Sequence, residues 1–274
     1  MLCNLCKLKA VIILIMTKYL NTTHNQFWSW LTSEISERMA QNLPFIKIDP
    51  KKILLLGHFD QRTFSYFSEK YPQADIWSDQ KSFQQKNFLN SINPFKKKTI
   101  SFLDFENELD LANFDFVWAG PLQQSVENYP QFFLKVGKCL NNQGLMMFNY
   151  LGPDTGKEYF HLGLEGGHIG PDMHEIGDLL IQSSFADPVM NMEYLNLEYE
   201  NSELLLRDLL SIHAADSHLA NVQNLNQQLA QMKKDHQKMA LTMEVVYGHA
   251  WKVPKKEPGV TRISPESIKK TYKN

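Results

Sequence analysis

The chain lacks long hydrophobic runs, an excess of charge of either sign, and a useful supply of cysteine. No apolar stretch in its 274 residues approaches the roughly 20 that a membrane-spanning helix needs, so no such span is expected. Lys and Arg number 28 against 30 Asp and Glu, a net charge of -2. That balance removes the electrostatic reason to expect nucleic acid as a partner. Three cysteines cannot build the disulfide framework of a small secreted domain. Cys3 and Cys6 form a C-x-x-C pair, but no second Cys/His pair lies nearby to complete a tetrahedral metal shell, and no metal site is expected. What the chain does have is aromatic residues (12%) and aliphatics spread throughout, enough to bury a full core.

Three regions are expected: an extension over residues 1–24, a globular domain over 25–252, and a basic, disordered tail over 253–274 rich in Lys and Pro. Lys7 and Lys9 precede the apolar stretch Ala10–Met16, but Thr17-Lys18-Tyr19 is no small-residue cleavage site. The favoured reading is an upstream start codon with Met16 as initiator, and a cytoplasmic protein.

Phe27, Trp28, Leu31, Ile35, Met39 and Leu43 step by three and four, which predicts an amphipathic helix over 25–43. Ile53-Leu54-Leu55-Leu56-Gly57 is a short continuous apolar run ended by glycine, the pattern of a strand buried on both faces. A helix over 63–71 follows, then strands at 74–77, 99–103 and 114–119, a helix over 129–140, and a strand at 144–150. Strands alternating with helices imply a doubly wound α/β sheet with helices on both faces. Ligands bind such sheets beyond the carboxyl ends of the strands. The loops at 57–61, 77–80, 104–106 and 120–125 are therefore expected to line the site.

Further along, the pattern predicts helices over 172–185, 203–213 and 219–239, and strands at 188–199 and 242–248. Asp172, with Glu175 three residues on, reads as a helix cap rather than a metal ligand set with His168 and His174. Tyr247, His249 and Trp251 share one face of the last strand, which packing or hydrogen bonding explains as well as substrate contact does.

Several segments of this half are specific: Gly152-Pro153-Asp154-Thr155, Asp172-Met173-His174-Glu175-Ile176-Gly177-Asp178, Phe185-Ala186-Asp187-Pro188-Val189-Met190-Asn191-Met192-Glu193 and Glu244–Trp251. In this order, and with Glu34–Met39 ahead of them, they resemble the malonyl-acyl-carrier-protein O-methyltransferases of biotin synthesis. The resemblance implies a class I, Rossmann-like methyltransferase sheet of seven strands with an antiparallel final pair. It implies S-adenosyl-L-methionine as cofactor and malonyl-acyl-carrier protein as partner. By the same resemblance Gly57 closes the first strand, Asp79 meets the ribose hydroxyls, Asp104 meets the adenine amino group, and Gly120 belongs to the segment facing the methyl group. Catalytic side chains are not assigned.

The chain also departs from that family's pattern. Leu55 stands where the family has an acid, and Phe59 and Gln61 stand where it has glycines, so Phe59 is expected to intrude on the space of the cofactor's amino-acid end. In the segment after the fourth strand Gln124 is kept, but Ser125 replaces a tryptophan and Pro121 enters. A different function class therefore stays open beside the enzyme: a catalytically inactive methyltransferase-fold paralogue serving as a binding or assembly module.

Overall fold

The computed structural model describes residues 26–80, 100–105, 107, 113–122, 128–162, 169–212, 219–235 and 238–254. The N-terminal extension, nearly all of the tail, His168, Gln124 and Ser125 lie outside the described residues, as do the expectations attached to them.

Helix α1 (26–40) presents its apolar stripe to the sheet; Leu31, Ile35 and Met39 are fully buried. A single 3-10 turn, Leu43–Phe45, follows, and Pro44 accounts for the earlier helix end. Five parallel strands come next: β1 (Lys52–Leu56), β2 (Asp75–Ser78), β3 (Ile100–Phe102), β4 (Phe114–Ala119) and β5 (Leu140–Leu151). Strands β6 (Phe185–Tyr199) and β7 (Met239–Lys252) complete one seven-stranded sheet in the order β3-β2-β1-β4-β5-β7-β6. β7 runs antiparallel to both β5 and β6, as the resemblance implies. The reversal of strand order at β1/β4 is the crevice where doubly wound sheets bind ligands.

The helices α2 (Gln61–Lys70), α3 (Tyr129–Cys139), α4 (Met173–Gln182), α5 (Ser202–Ile212) and α6 (Leu219–Lys234) cover the two faces. Alternation along the strands divides the core. Leu55, Phe116 and Trp118 face the cluster that contains α1 and α2, while Leu54, Val117 and Phe148 face the one that contains α3 and α4. Asp172 caps α4 as expected, its Oδ1 accepting from His174 N at 2.8 Å.

Several boundaries differ from the sequence reading, three of them for a visible reason. β5 starts at Leu140 instead of Gly144, with a register irregularity between Phe114 and Phe116 of its partner β4. β6 starts at Phe185, ahead of Pro188. Asp187 adopts φ +49° and the register shifts between Ala186 and Val189, so a bulge accommodates the proline. Helix α6 ends at Lys234, and Met239, read as its last residue, opens β7 instead.

Candidate functional site

At the end of β1 the chain turns sharply through Gly57, whose φ of +76° lies in the left-handed region that side chains resist. The turn aims the Gly57 N–H at the next strand, where it donates to Asp79 Oδ2 at 3.3 Å. In return the Gln80 side-chain amide donates to the Gly57 carbonyl, and Gln80 N donates to Ser78 Oγ at 2.9 Å. Leu103 N donates to Ser78 O at 2.8 Å, which seats Asp104 just past β3 with its carboxylate accepting from Asn107 Nδ2 at 3.1 Å. Gly120 N donates to Leu56 O at 3.2 Å, continuing the β1–β4 pairing to the end of both strands.

Asp104, Asp79, Gly57 and Gly120 thus occupy the carboxyl ends of four neighbouring strands, in the sheet order β3-β2-β1-β4. Gly57 and Asp79 touch through a hydrogen bond; the other two are brought alongside by the backbone alone. The arrangement fits a nucleoside. A carboxylate after β2 can accept from a ribose diol, a carboxylate after β3 can accept from an amino group, and a glycine turn lets the backbone come close.

The departures at β1 become physical here. Leu55 is fully buried and sits beside Trp118 in the β1–β4 register. Phe59 packs into the α1/α2 core at 7% exposure. Asp60 caps α2, its Oδ1 accepting from Thr63 N at 2.9 Å and Thr63 Oγ1 at 3.1 Å, and Gln61 is the first helical residue. The loop expected over 57–61 is a short turn, with Phe59 buried and His58 exposed, that leads into a capped helix. Beside it, between α1 and the first turn of α2, lies a cavity of about 650 Å³ walled by Ser36, Glu37, Asp60, Arg62, Tyr66 and Trp118 among others.

Sequence reasoning missed Asn149 of β5. It is fully buried, its Nδ2 lies 3.6 Å from Met39 Sδ, and its side chain abuts Gly120 so closely that a Cβ there would sit 2.6 Å from Oδ1. Only the close approach of β4 and β5 shows the pair, so no sequence signal could have found it.

The motif after β5 is held from β7. Gly152 N donates to Glu244 O at 2.8 Å, Asp154 N to Glu244 Oε2 at 2.6 Å, and Glu244 N to Thr155 Oγ1 at 3.1 Å. Burial pushes the Glu244 carboxyl above its usual range. On the same strand Tyr247 donates to Glu193 Oε1 at 2.7 Å, and Glu193 Oε2 accepts from Arg38 of α1 at 2.9 Å. Tyr247 therefore serves hydrogen bonding between β7 and β6.

His249, half-buried on β7, is held below its ordinary 6.5 by burial. Folding disfavours its protonated form, so stability is full above the unfolded value and falls as pH drops through the folded one. Replacing His249 with glutamine is expected to flatten the decline in melting temperature between about pH 7 and about pH 5. An unchanged decline in a thermal-melt series would assign the acid sensitivity elsewhere. Among the described residues no group of three or more His, Cys, Asp or Glu could hold a metal ion, and no helix is long and apolar enough to cross a membrane.

No protein-family model matches the chain. The chain is 34% identical over 266 residues to the malonyl-[acyl-carrier protein] O-methyltransferase of Gallionella capsiferriformans, covering 89% of this chain and 90% of that one. The enzyme of the same description from Methylovorus sp. is 30% identical, covering 81% and 82%. Among solved structures, a Bacillus halodurans C-125 protein described as a methyltransferase superposes with a TM-score of 0.55 at 12% identity, over 79% of this chain and 99% of its own. The YcgJ protein of Bacillus subtilis gives a TM-score of 0.53 at 11% identity, over 79% and 98%. At those identities the solved structures establish the fold alone.

Proposed function

The chain belongs to the malonyl-[acyl-carrier protein] O-methyltransferase family, and from that premise we propose that it methylates the free carboxylate of a malonyl thioester on acyl-carrier protein, using S-adenosyl-L-methionine, in biotin synthesis. The single observation that carries the reading is identity of about one residue in three across nine-tenths of both chains. Nothing in the comparisons favours the non-catalytic module. The cytoplasmic location expected from the sequence belongs to the same reading.

The cofactor supplies an activated methyl group on a sulfonium. Asp79 would hold the ribose hydroxyls, Asp104 the adenine amino group, and the Gly57 turn would let the backbone close on the nucleoside. Gly120, backed by the buried Asn149 side chain, shapes the end of β4 next to the acceptor. The acceptor carboxylate is already nucleophilic, so no general base is required of the chain. Its work is to align the two reactants and exclude water, which is worth several powers of ten in rate when the geometry is held. The hydrogen bonds joining the β1 and β2 loops, Gly57 N to Asp79 and the Gln80 side chain to the Gly57 carbonyl, provide that rigidity.

The test is direct. Purified chain, S-adenosyl-L-methionine and malonyl-acyl-carrier protein should yield carrier protein heavier by one methyl group, and acetyl-acyl-carrier protein, with no free carboxylate, should remain unmodified. Absence of a mass gain on the malonyl form would sink the reading.

A further inference from the structure

The sheet ends on β6, which pairs with β7 on one side and with no strand on the other. At 15 residues it is the longest strand of the sheet. Among the described residues, nothing outside the β6–β7 ladder bonds to the backbone of β6 between Val189 and Tyr199. Every second residue of an edge strand turns its N–H and C=O outward, so β6 offers a row of open hydrogen-bonding groups. Natural sheets guard such edges with proline, lysine, a bulge or a short strand. Here the guard stands only at the start, where the Asp187 bulge and Pro188 lie. From Val189 to Tyr199 the register against β7 is unbroken, and the stretch holds no Pro, Gly, Lys or Arg.

Charge narrows what can cover this edge. Its two carboxylates are already matched within the chain: Glu193 accepts from Arg38 and Tyr247, and Glu198 pairs with Lys238. The stretch therefore carries no net charge to select a basic or an acidic peptide, and none to repel an identical strand. Two large apolar side chains on it stay in water, Val189 at 50% and Tyr194 at 43% exposure. Two copies related by a twofold axis meet antiparallel and bring the same surface. With the axis at Tyr194 the whole of Val189–Tyr199 is paired. Glu193 then lies opposite Leu195 and Glu198 opposite Met190, so no carboxylate faces another.

We propose that β6 is a self-association edge, through which two copies of the chain join into one continuous sheet across a twofold axis at Tyr194. A paired stretch about 36 Å long and about 10 Å thick buries on the order of 1,000 Å² in total, the lower bound for a specific interface. The dimer is accordingly reversible, with a dissociation constant in the micromolar range. β6 lies at the opposite end of the sheet from β3 and β2, so Asp79 and Asp104 of both copies stay clear of the junction.

Sedimentation velocity of the full chain over roughly 1 to 100 μM should show the mass rising from one chain to two. Tyr194→Lys sets like charges face to face at the axis and should raise the dissociation constant about tenfold or more. Its melting temperature, taken where the chain is monomeric, should stay within a few degrees of the unaltered chain. Hydrogen exchange needs no substitution: alternate amides of Val189–Tyr199 should gain protection as concentration rises. Tyr194→Cys, in a chain with Cys3 and Cys6 changed to serine, should form a disulfide-linked dimer on mild oxidation, since the axis brings the two thiols within cross-strand reach. Asn191→Cys, opposite Leu197, should not, and linkage there instead would overturn the stated pairing. A chain that stays monomeric throughout overturns the proposal. So does a dimer that Tyr194→Lys leaves unweakened and whose β6 amides exchange alike at all concentrations, because its interface lies elsewhere. Protection of those amides in a monomer would give the edge to another segment of the chain and overturn the proposal as well.

Discussion

Asp79→Ala should lose methyl transfer by a factor of the order of 10² to 10⁴ in kcat/KM, measured with S-adenosyl-L-methionine limiting. The carboxylate has two tasks at the end of β2. It holds the Gly57 N–H at 3.3 Å, which fixes the turn after β1, and in the proposed complex it accepts from the two ribose hydroxyls. Hydrogen bonds to a charged group contribute about 1.5–3 kcal/mol each, and losing two at once gives the stated range. Asp104→Ala should cost less, because that carboxylate is linked to an exposed Asn107 and makes one contact in the reading. Equal losses for the two, or a retained rate in Asp79→Ala, would move the nucleoside away from β2. A melting temperature within a few degrees of the unaltered chain separates this effect from unfolding.

The second large effect concerns stability. Gly248 sits in β7 between β5 and β6, paired with Phe148 on one side and Met190 on the other. The Phe148 ring lies directly across the glycine, and a Cβ would overlap it, with Cε2 at 2.8 Å. The ring belongs to the α3/α4 core and stacks on Tyr150 at a centroid distance of 6.3 Å, so it has no room to withdraw. Gly248→Val is expected to lower the unfolding free energy by about 3 kcal/mol, at the upper end for overpacking, read as a fall in urea midpoint at constant slope. Combining Gly248→Ala with Phe148→Leu should be milder than Gly248→Ala alone. If the pair is as unstable as the sum of its parts, the clash is not the cause.

Much of the architecture was legible because its signals are local. Continuous apolar runs such as Ile53–Leu56 mark strands covered on both faces, and β4 falls where the pattern put it, Phe114–Ala119. The candidate site was legible to the extent that topology determines it: glycine and aspartate after successive strands come to neighbouring strand ends once the strand order is known. What stayed hidden depends on contacts between distant elements. Asn149 reads as an unremarkable residue inside a strand until β4 is laid against it. Ser36 and Arg62 carry no motif, and their meeting around one cavity depends on how α1 crosses α2. The bulge at Asp187 was hidden for another reason, since Pro188 argues for a strand beginning and only the partner strand shows otherwise.

The link from Arg38 to Glu34, and on through Glu193 to Tyr247, has a mechanical meaning for α1. The fully buried stripe of Leu31, Ile35 and Met39 already fixes which face of the helix meets the sheet. The half-exposed ion pairs add little to stability, but they tie the outer side of the helix to β6 and, through Glu193, to β7. The far edge of the sheet is thereby stitched to the same helix whose Ser36 and Glu37 line the cavity.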